Sequence, residues 1–194
     1  MNLQITYQNI FTWYKKIIQV CILNLILFSS LLGFNSHALQ TCDDYIPNQW
    51  TGNRYTVSTI NNESSVYDKQ TGLSWQQCPA GQSGESCIGT ASTHDWQQAL
   101  QFPLSVNATG GFAGKTDWRL PNIKELQSLV AYNCFNPSIN LTVFPNTPVS
   151  VFGFVSSSPR GGGYNIYKLN FYYGNISYNF RNFDYYVRLV RTGQ

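Results

Sequence analysis

The stretch from Asp117 to Val130, Asp-Trp-Arg-Leu-Pro-Asn-Ile-Lys-Glu-Leu-Gln-Ser-Leu-Val, constrains the fold more tightly than any other part of the chain. Pro121 fixes its own φ near the helical value, while its ring pushes Leu120 out of the helical region, so an extended segment must end there. Asn122 is placed to accept from the free N–H groups of a new helix. Glu125, three residues on, can reach back to the Asn122 backbone as the other half of a capping box, and its charge suits the helix N-terminus. Ile123, Leu126, Leu129 and Val130 then recur at helical spacing, leaving Lys124, Gln127 and Ser128 for water; the spacing predicts a helix ending near Tyr132. Trp118 and Arg119 could stack on a sugar or fork onto an acid. Residues that lead into a fixed Pro and a helix cap pack and tether the junction, so Trp118, Arg119, Pro121, Asn122 and Glu125 are read as scaffold.

Residues 1–38 read as a secretory signal peptide: Lys15 and Lys16 form a positive region, Val20 to Phe34 is mostly apolar, and Ser36-His-Ala38 supplies small residues at a cleavage site. The alternative is an uncleaved anchor, which Gln19, Asn24, Ser29 and Ser30 weaken. Residues 39–194 are then expected to form one domain, exported to the medium, the cell surface or the periplasm, touching a membrane only through the N-terminal segment. Removing residues 1–38 takes two of the 12 Lys and Arg and none of the 9 Asp and Glu, leaving +1, so a general nucleic-acid binder is not expected. The charge is uneven. From Phe154 onward Arg160, Lys168, Arg181, Arg188 and Arg191 face a single acid, Asp184.

Four cysteines follow the signal segment, Cys42, Cys78, Cys87 and Cys134, and an even number in an exported chain implies two disulfides with three possible pairings. Cys78 and Cys87 flank a turn-rich loop, Pro-Ala-Gly-Gln-Ser-Gly-Glu-Ser, which favours a local bond and leaves Cys42 for Cys134. A structural zinc is not expected, because there is no Cys-x-x-Cys pair and His94 is the single histidine after the signal segment.

Ser65 to Tyr67 and Gly72 to Gln76 suggest a hairpin, with Trp75 pointing inward. Thr93 is expected to cap a helix from about His94 to Gln101, with Trp96, Ala99 and Leu100 on one face and Pro103 ending it. Tyr164 to Tyr172 alternates, placing Tyr167, Leu169 and Phe171 opposite Ile166, Lys168 and Asn170. Gly174-Asn175 suits a turn into Ile176 to Phe180, and Tyr185 to Arg191 reads as a last strand. Two helices among short strands give an α+β domain.

Catalysis needs a nucleophile, base or metal within reach of one another, and no such set is visible. His94 stands alone, the carboxylates are scattered, and no Gly-x-Ser-x-Gly, His-Glu-x-x-His or phosphate loop occurs. No enzyme, cofactor or metal is therefore expected. Between Tyr164 and Tyr186 ten of 23 residues are Tyr or Phe, too many for one buried sheet face, so some rings must be exposed. Tyrosine offers a flat apolar face with a hydroxyl tip, and neighbouring cations pair with sulfate or carboxylate. Tyr164, Tyr172 and Tyr173 with Arg160, Lys168, Arg181, Arg188 and Arg191 are the candidate ligand-binding residues; Arg188 and Arg191 could instead serve structural ion pairs.

Tyr67-Asp-Lys-Gln-Thr-Gly-Leu-Ser-Trp-Gln-Gln-Cys78, Trp96 to Leu100, Asp117 to Val130, Phe144-Pro-Asn-Thr147, Phe154 to Ser158 and Val187-Arg-Leu-Val-Arg191 resemble, in order and spacing, the Lcl C-terminal domain family, named after a bacterial collagen-like adhesin. The resemblance covers roughly residues 42 to 194. A related Arg-Leu-Pro-x-x-x-Glu pattern occurs in formylglycine-generating and sulfatase-modifying proteins, which implies a C-type-lectin-like fold; the paired reactive thiols of those enzymes have no counterpart here. Many Lcl-type domains carry Cys where this chain has Leu189, so a bond made there cannot form. The calcium-dependent sugar motifs of C-type lectins are absent, and Phe144-Pro-Asn lacks the carboxylate. The resemblance implies adhesion through sulfated, glycosaminoglycan-like polymers. The expected partner is thus an acidic polysaccharide or host glycan bound without calcium; the alternative is a protein-interaction or self-association module of the cell envelope. No collagen-like Gly-x-y tract is present to carry trimerisation over.

Overall fold

The computed structural model describes residues 40–47 and 52–193, and the signal-peptide reading lies outside them. Among these residues eleven strands and two helices follow in the order β1 (Thr41–Cys42), β2 (Tyr55–Ile60), β3 (Glu63–Asp68), β4 (Leu73–Gln76), β5 (Thr93–His94), α1 (Trp96–Ala108), α2 (Ile123–Gln127), β6 (Cys134–Phe135), β7 (Phe154–Arg160), β8 (Asn165–Asn170), β9 (Asn175–Phe180), β10 (Tyr185–Tyr186) and β11 (Val190–Thr192). They form a four-stranded sheet in the order β11-β4-β3-β2, a five-stranded sheet in the order β5-β10-β7-β8-β9, and a small β1-β6 pair. Neighbours run antiparallel, except β10 beside β7. The α+β class expected from the sequence is therefore present.

Hairpin β2-β3 turns on Asn61 and Asn62, both at positive φ, a turn whose twist matches that of the strands it joins. The row Val57, Val66, Trp75 and Val190 crosses the four-stranded sheet on one face. Val66, Trp75 and Val190 pack there against Leu126, Leu129 and Val130, against Phe154 and Leu169 of the second sheet, and against Phe171 just after β8. On the other side of that second sheet, Val155, Ile166 and Tyr185 join Ala99, Trp118, Leu120, Val187 and Leu189 in a second apolar cluster. Trp75 is buried, as its place in the hairpin predicts.

Four local expectations change. Tyr185 to Arg191 is not one last strand: it divides into β10 and β11, which lie in different sheets. Thr93 does not cap α1: with His94 it pairs against Tyr185 and Tyr186 as β5, and Asp95 is the cap, in a capping box with Gln98. Pro103 does not end α1, which runs on to Ala108. Proline withholds the N–H that would bond Ala99, but its φ is helical, and its ring is buried with Ala99 on the packed face of the helix, which offsets the loss. Helix α2 stops at Gln127 rather than near Tyr132. Tight turns then carry Leu129 and Val130 onto the same apolar side, through bonds from the Leu129 and Val130 N–H groups to the Leu126 and Gln127 carbonyls.

Both disulfides pair as read from the sequence, Cys78 with Cys87 and Cys42 with Cys134, the latter across a separation of 92 residues. Arg54 ties β2 to the end of α2: Nε and Nη2 donate to the two oxygens of Asp68 at 2.9 and 2.7 Å, and Nη2 also donates to the Ser128 carbonyl at 2.7 Å. Asp68 further accepts from the Gln70 N–H and the Thr71 hydroxyl. Both ion-pair partners are buried. Asp68→Ala would leave the guanidinium uncompensated and is expected to cost about 3–5 kcal/mol, read as a lowered midpoint in denaturant unfolding.

Candidate functional site

The capping box at Asn122 is complete. Asn122 Oδ1 accepts from the Glu125 N–H at 2.9 Å, and Glu125 Oε2 accepts from the Asn122 N–H at 2.8 Å. The same carboxylate receives both arms of Arg119, at 2.6 and 2.8 Å. Trp118 is buried, its indole N–H donating to the Phe112 carbonyl at 2.8 Å. Arg119 exchanges backbone hydrogen bonds with Val190 and so anchors the junction to β11. Trp118, Arg119, Pro121, Asn122 and Glu125 thus all sit in the junction between the sheets and α2.

The candidate ligand-binding residues do not form one patch. Arg188 is fully buried and takes no part in any surface. Among the described residues it has no ion-pair partner either: Nη2 donates to Thr147 Oγ1 at 2.9 Å, and the guanidinium carbon lies 4.7 Å from the Phe144 ring centre and 5.4 Å from that of Phe154. Arg191 does make an ion pair, Nε donating to Asp117 Oδ1 at 2.6 Å while Nη1 donates to the Gly193 carbonyl at 2.9 Å. Lys168, which alternation along β8 places away from Leu169, is buried as well. Its ammonium donates to the Val151 and Phe152 carbonyls at 2.6 and 3.2 Å, and burial lowers its pKa. Its floor position is shared with Tyr185 in an open hollow of about 460 Å³ walled by Phe152, Phe183 and Asp184.

Arg160, Tyr164 and Arg181 lie at the same end of the β7-β8-β9 sheet, but Arg181 turns to the face opposite Arg160. Cross-strand register sets Arg160 opposite Asn165 and Asn165 opposite Phe180, so three strands end in one row. Tyr164 and Arg181 are the next residues outward, linked by a hydrogen bond from the Arg181 N–H to the Tyr164 carbonyl. The Arg160 guanidinium lies 3.5 Å above the centre of the Tyr178 ring. Tyr164 is 71% exposed, and Tyr178 and Phe180 are about half exposed. Arg181 borders a shallow hollow with Asp95, Trp96 and Leu100, on the α1 side. Tyr172 and Tyr173, in edge contact at 4.4 Å, occupy the β8-β9 turn at the far end of β8, about 17 Å away along the strand. Sequence reading missed Tyr178 and Phe180. Their alternation was visible, but that β9 is an edge strand with an uncovered face depends on sheet order.

Among the described residues no three His, Cys, Asp or Glu side chains gather as a metal site would need. His94 lies against Phe102 and within 3.2 Å of the Ser92 hydroxyl. No described helix is long and apolar enough to cross a membrane.

Two sheets joined by a capped Arg-Leu-Pro junction, stapled by two disulfides and ending in an aromatic and basic rim, define a class of small α+β domains. Residues 64–191, well over half of the chain, match the Lcl C-terminal domain family. The chain belongs to that family. No curated protein matches it.

Two carboxylates at the junction carry pH dependence. The Arg191 guanidinium holds Asp117 below its ordinary range. Burial alone would raise Glu125, but the Arg119 and Asn122 donors outweigh it and hold it below the ordinary carboxylate range. A carboxyl depressed in the folded state stabilises above its unfolded pKa and loses that contribution as pH falls through the folded value. Stability is therefore expected to fall as the pH drops below the ordinary carboxylate range, and Glu125→Gln to flatten that acid limb in thermal melts taken as a function of pH.

Proposed function

We propose that the chain is an exported, non-enzymatic, adhesin-like module of the bacterial surface that binds acidic or sulfated polysaccharide, including host glycan, without calcium. The observation that carries this reading is the rim where β7, β8 and β9 end. There Arg160 is laid flat over Tyr178 with Phe180 on the same face, while Tyr164 and Arg181 follow at the strand ends, Arg181 on the α1 side. A guanidinium held on an aromatic face keeps its edge N–H groups free to fork onto a sulfate or carboxylate, and flanking rings offer apolar faces to sugar. Membership of a family named after a collagen-like adhesin supports the assignment. The two disulfides fit an oxidising, extracytoplasmic setting, with residues 1–38 as the signal that takes the chain there. The Arg-Leu-Pro junction and the short-stranded sheets suit a C-type-lectin-like fold.

Heparin chromatography tests the rim. The protein is expected to be retained at low salt, Arg160→Ala and Arg181→Ala each to elute earlier in a salt gradient, and the double variant earlier still, while Lys124→Gln elutes nearly unchanged. No retention at low salt would overturn the reading. Absence of retention together with a stable oligomer in solution would favour an assembly module, which the uncovered edge strand β2, with Val57 and Ile60 exposed, could serve.

A further inference from the structure

The four-stranded sheet has a second face, turned away from the apolar core. One cross-strand row on it reads Thr56, Tyr67, Ser74, Arg191, because Thr56 pairs with Tyr67, Tyr67 with Ser74 and Ser74 with Arg191. Three strand spacings make that row about 14 Å long. Ser58 and Ser65 form a shorter row beside it. The loop from Ala113 to Trp118 stands along one side, so the face is the floor of a cleft of about 360 Å³, within the size range of small-ligand sites.

The floor is rich in uncommitted hydrogen-bonding groups. Ser74 donates to the Gly193 carbonyl, and Arg191 Nε and Nη1 are held by Asp117 and Gly193. Among the described residues no side-chain hydrogen bond engages the hydroxyls of Thr56, Ser58, Ser65 or Tyr67, all four of which line the cleft. A hydroxyl both donates and accepts, and four of them on a rigid sheet present a fixed array of that kind. The Tyr67 ring and Ile60 supply an apolar surface within the same cleft.

Charge decides the ligand class. Lys115 and Arg191 line the cleft, but Asp117 pairs with Arg191, and Glu63, at the other end, accepts from the Ala113 N–H at 2.6 Å. Two cations and two carboxylates cancel, so the cleft has no net charge with which to select an anion. We propose that it binds a neutral saccharide of one or two rings. The hydroxyls of the sugar meet Thr56, Ser58, Ser65 and Tyr67, and its apolar face lies on Tyr67 and Ile60. The site is separate from the rim of β7, β8 and β9 and does not depend on it.

Titration of the ¹⁵N-labelled full chain with glucose, galactose, mannose, N-acetylglucosamine and lactose tests this, with glucuronate and inorganic sulfate as anionic arms. At least one neutral sugar is expected to shift the Ser65 and Tyr67 amides and the Trp118 indole signal saturably. The double variant Ser58→Ala, Ser65→Ala is expected to weaken that sugar at least about tenfold, as two lost hydrogen bonds imply. Tyr67→Phe, which keeps the ring, tests the hydroxyl array a second way and is expected to weaken the sugar by a smaller factor. Arg160→Ala with Arg181→Ala should bind the sugar unchanged, which separates this site from the rim. The proposal is overturned if no neutral sugar moves these signals, if both hydroxyl-deleting variants bind with full affinity, or if glucuronate or sulfate binds about tenfold more tightly than the neutral sugars.

Discussion

The segment Val187-Arg188-Leu189, which leaves one sheet and enters the other, is the constraint that the remaining structure serves. Its backbone must be satisfied on the way: the Val187 carbonyl accepts from the Ala80 N–H at 2.9 Å and the Leu189 carbonyl from the Gln76 N–H at 3.0 Å. The Leu189 N–H donates to Gln76 Oε1 at 3.3 Å. Alternation sends Val187 and Leu189 into the second apolar cluster and turns Arg188 to the opposite side, against Phe144 and Phe154 of the first core. A lone guanidinium there is costly. Burial pushes its pKa down to about 9, so it remains charged at neutral pH, and Nε and Nη1 have no hydrogen-bond partner among the described residues. The aromatic faces and Thr147 offset part of that cost, and together they prevent the crossing strand from sliding by one residue without exchanging its buried sides.

The Asp117 to Val130 block depends on that crossing. Arg119 reaches Val190 immediately after it through paired backbone hydrogen bonds, and Arg191 reaches back to Asp117. The start of the block is therefore held twice by the same short strand, and the capping box, with its bidentate Arg119, fixes the direction in which α2 departs. Leu126, Leu129 and Val130 then fill the space between the two sheets. Pro121 and Asn122 act locally, yet their effect is to align one layer with another.

What was legible in the sequence was local. The caps at Asn122 and Glu125, the turn between β3 and β4, inward Trp75 and the short Cys78–Cys87 loop all follow from residues close together in the chain. The uses of the cations were not legible, because each depends on distant elements. Arg188 sits in a Val-Arg-Leu alternation that reads as a strand with one solvent face, and only the passage between two sheets buries both sides. Lys168 occupies the polar phase of β8, but the Val151 and Phe152 carbonyls fold over it. Strand β2 carried no distinctive periodicity, since its residues are exposed nearly throughout, and with it the hydroxyl-lined cleft escaped sequence reading.

The fate of the five C-terminal cations bears on how any polyanion would be held. Arg188, Arg191 and Lys168 are engaged with Thr147, Asp117 and backbone carbonyls respectively, so Arg160 and Arg181 alone of the five remain for a ligand at the rim. They leave the sheet toward different sides. On the proposed reading, one domain then grips a sulfated chain through few ionic contacts, and the salt-sensitive part of its affinity is small. Firm adhesion would come from many domains meeting one polymer, where each further contact is made at high effective concentration, rather than from a deep site on a single copy. A rim of rings with one guanidinium already stacked in place suits that use, because little side-chain freedom remains to be lost when each weak contact forms.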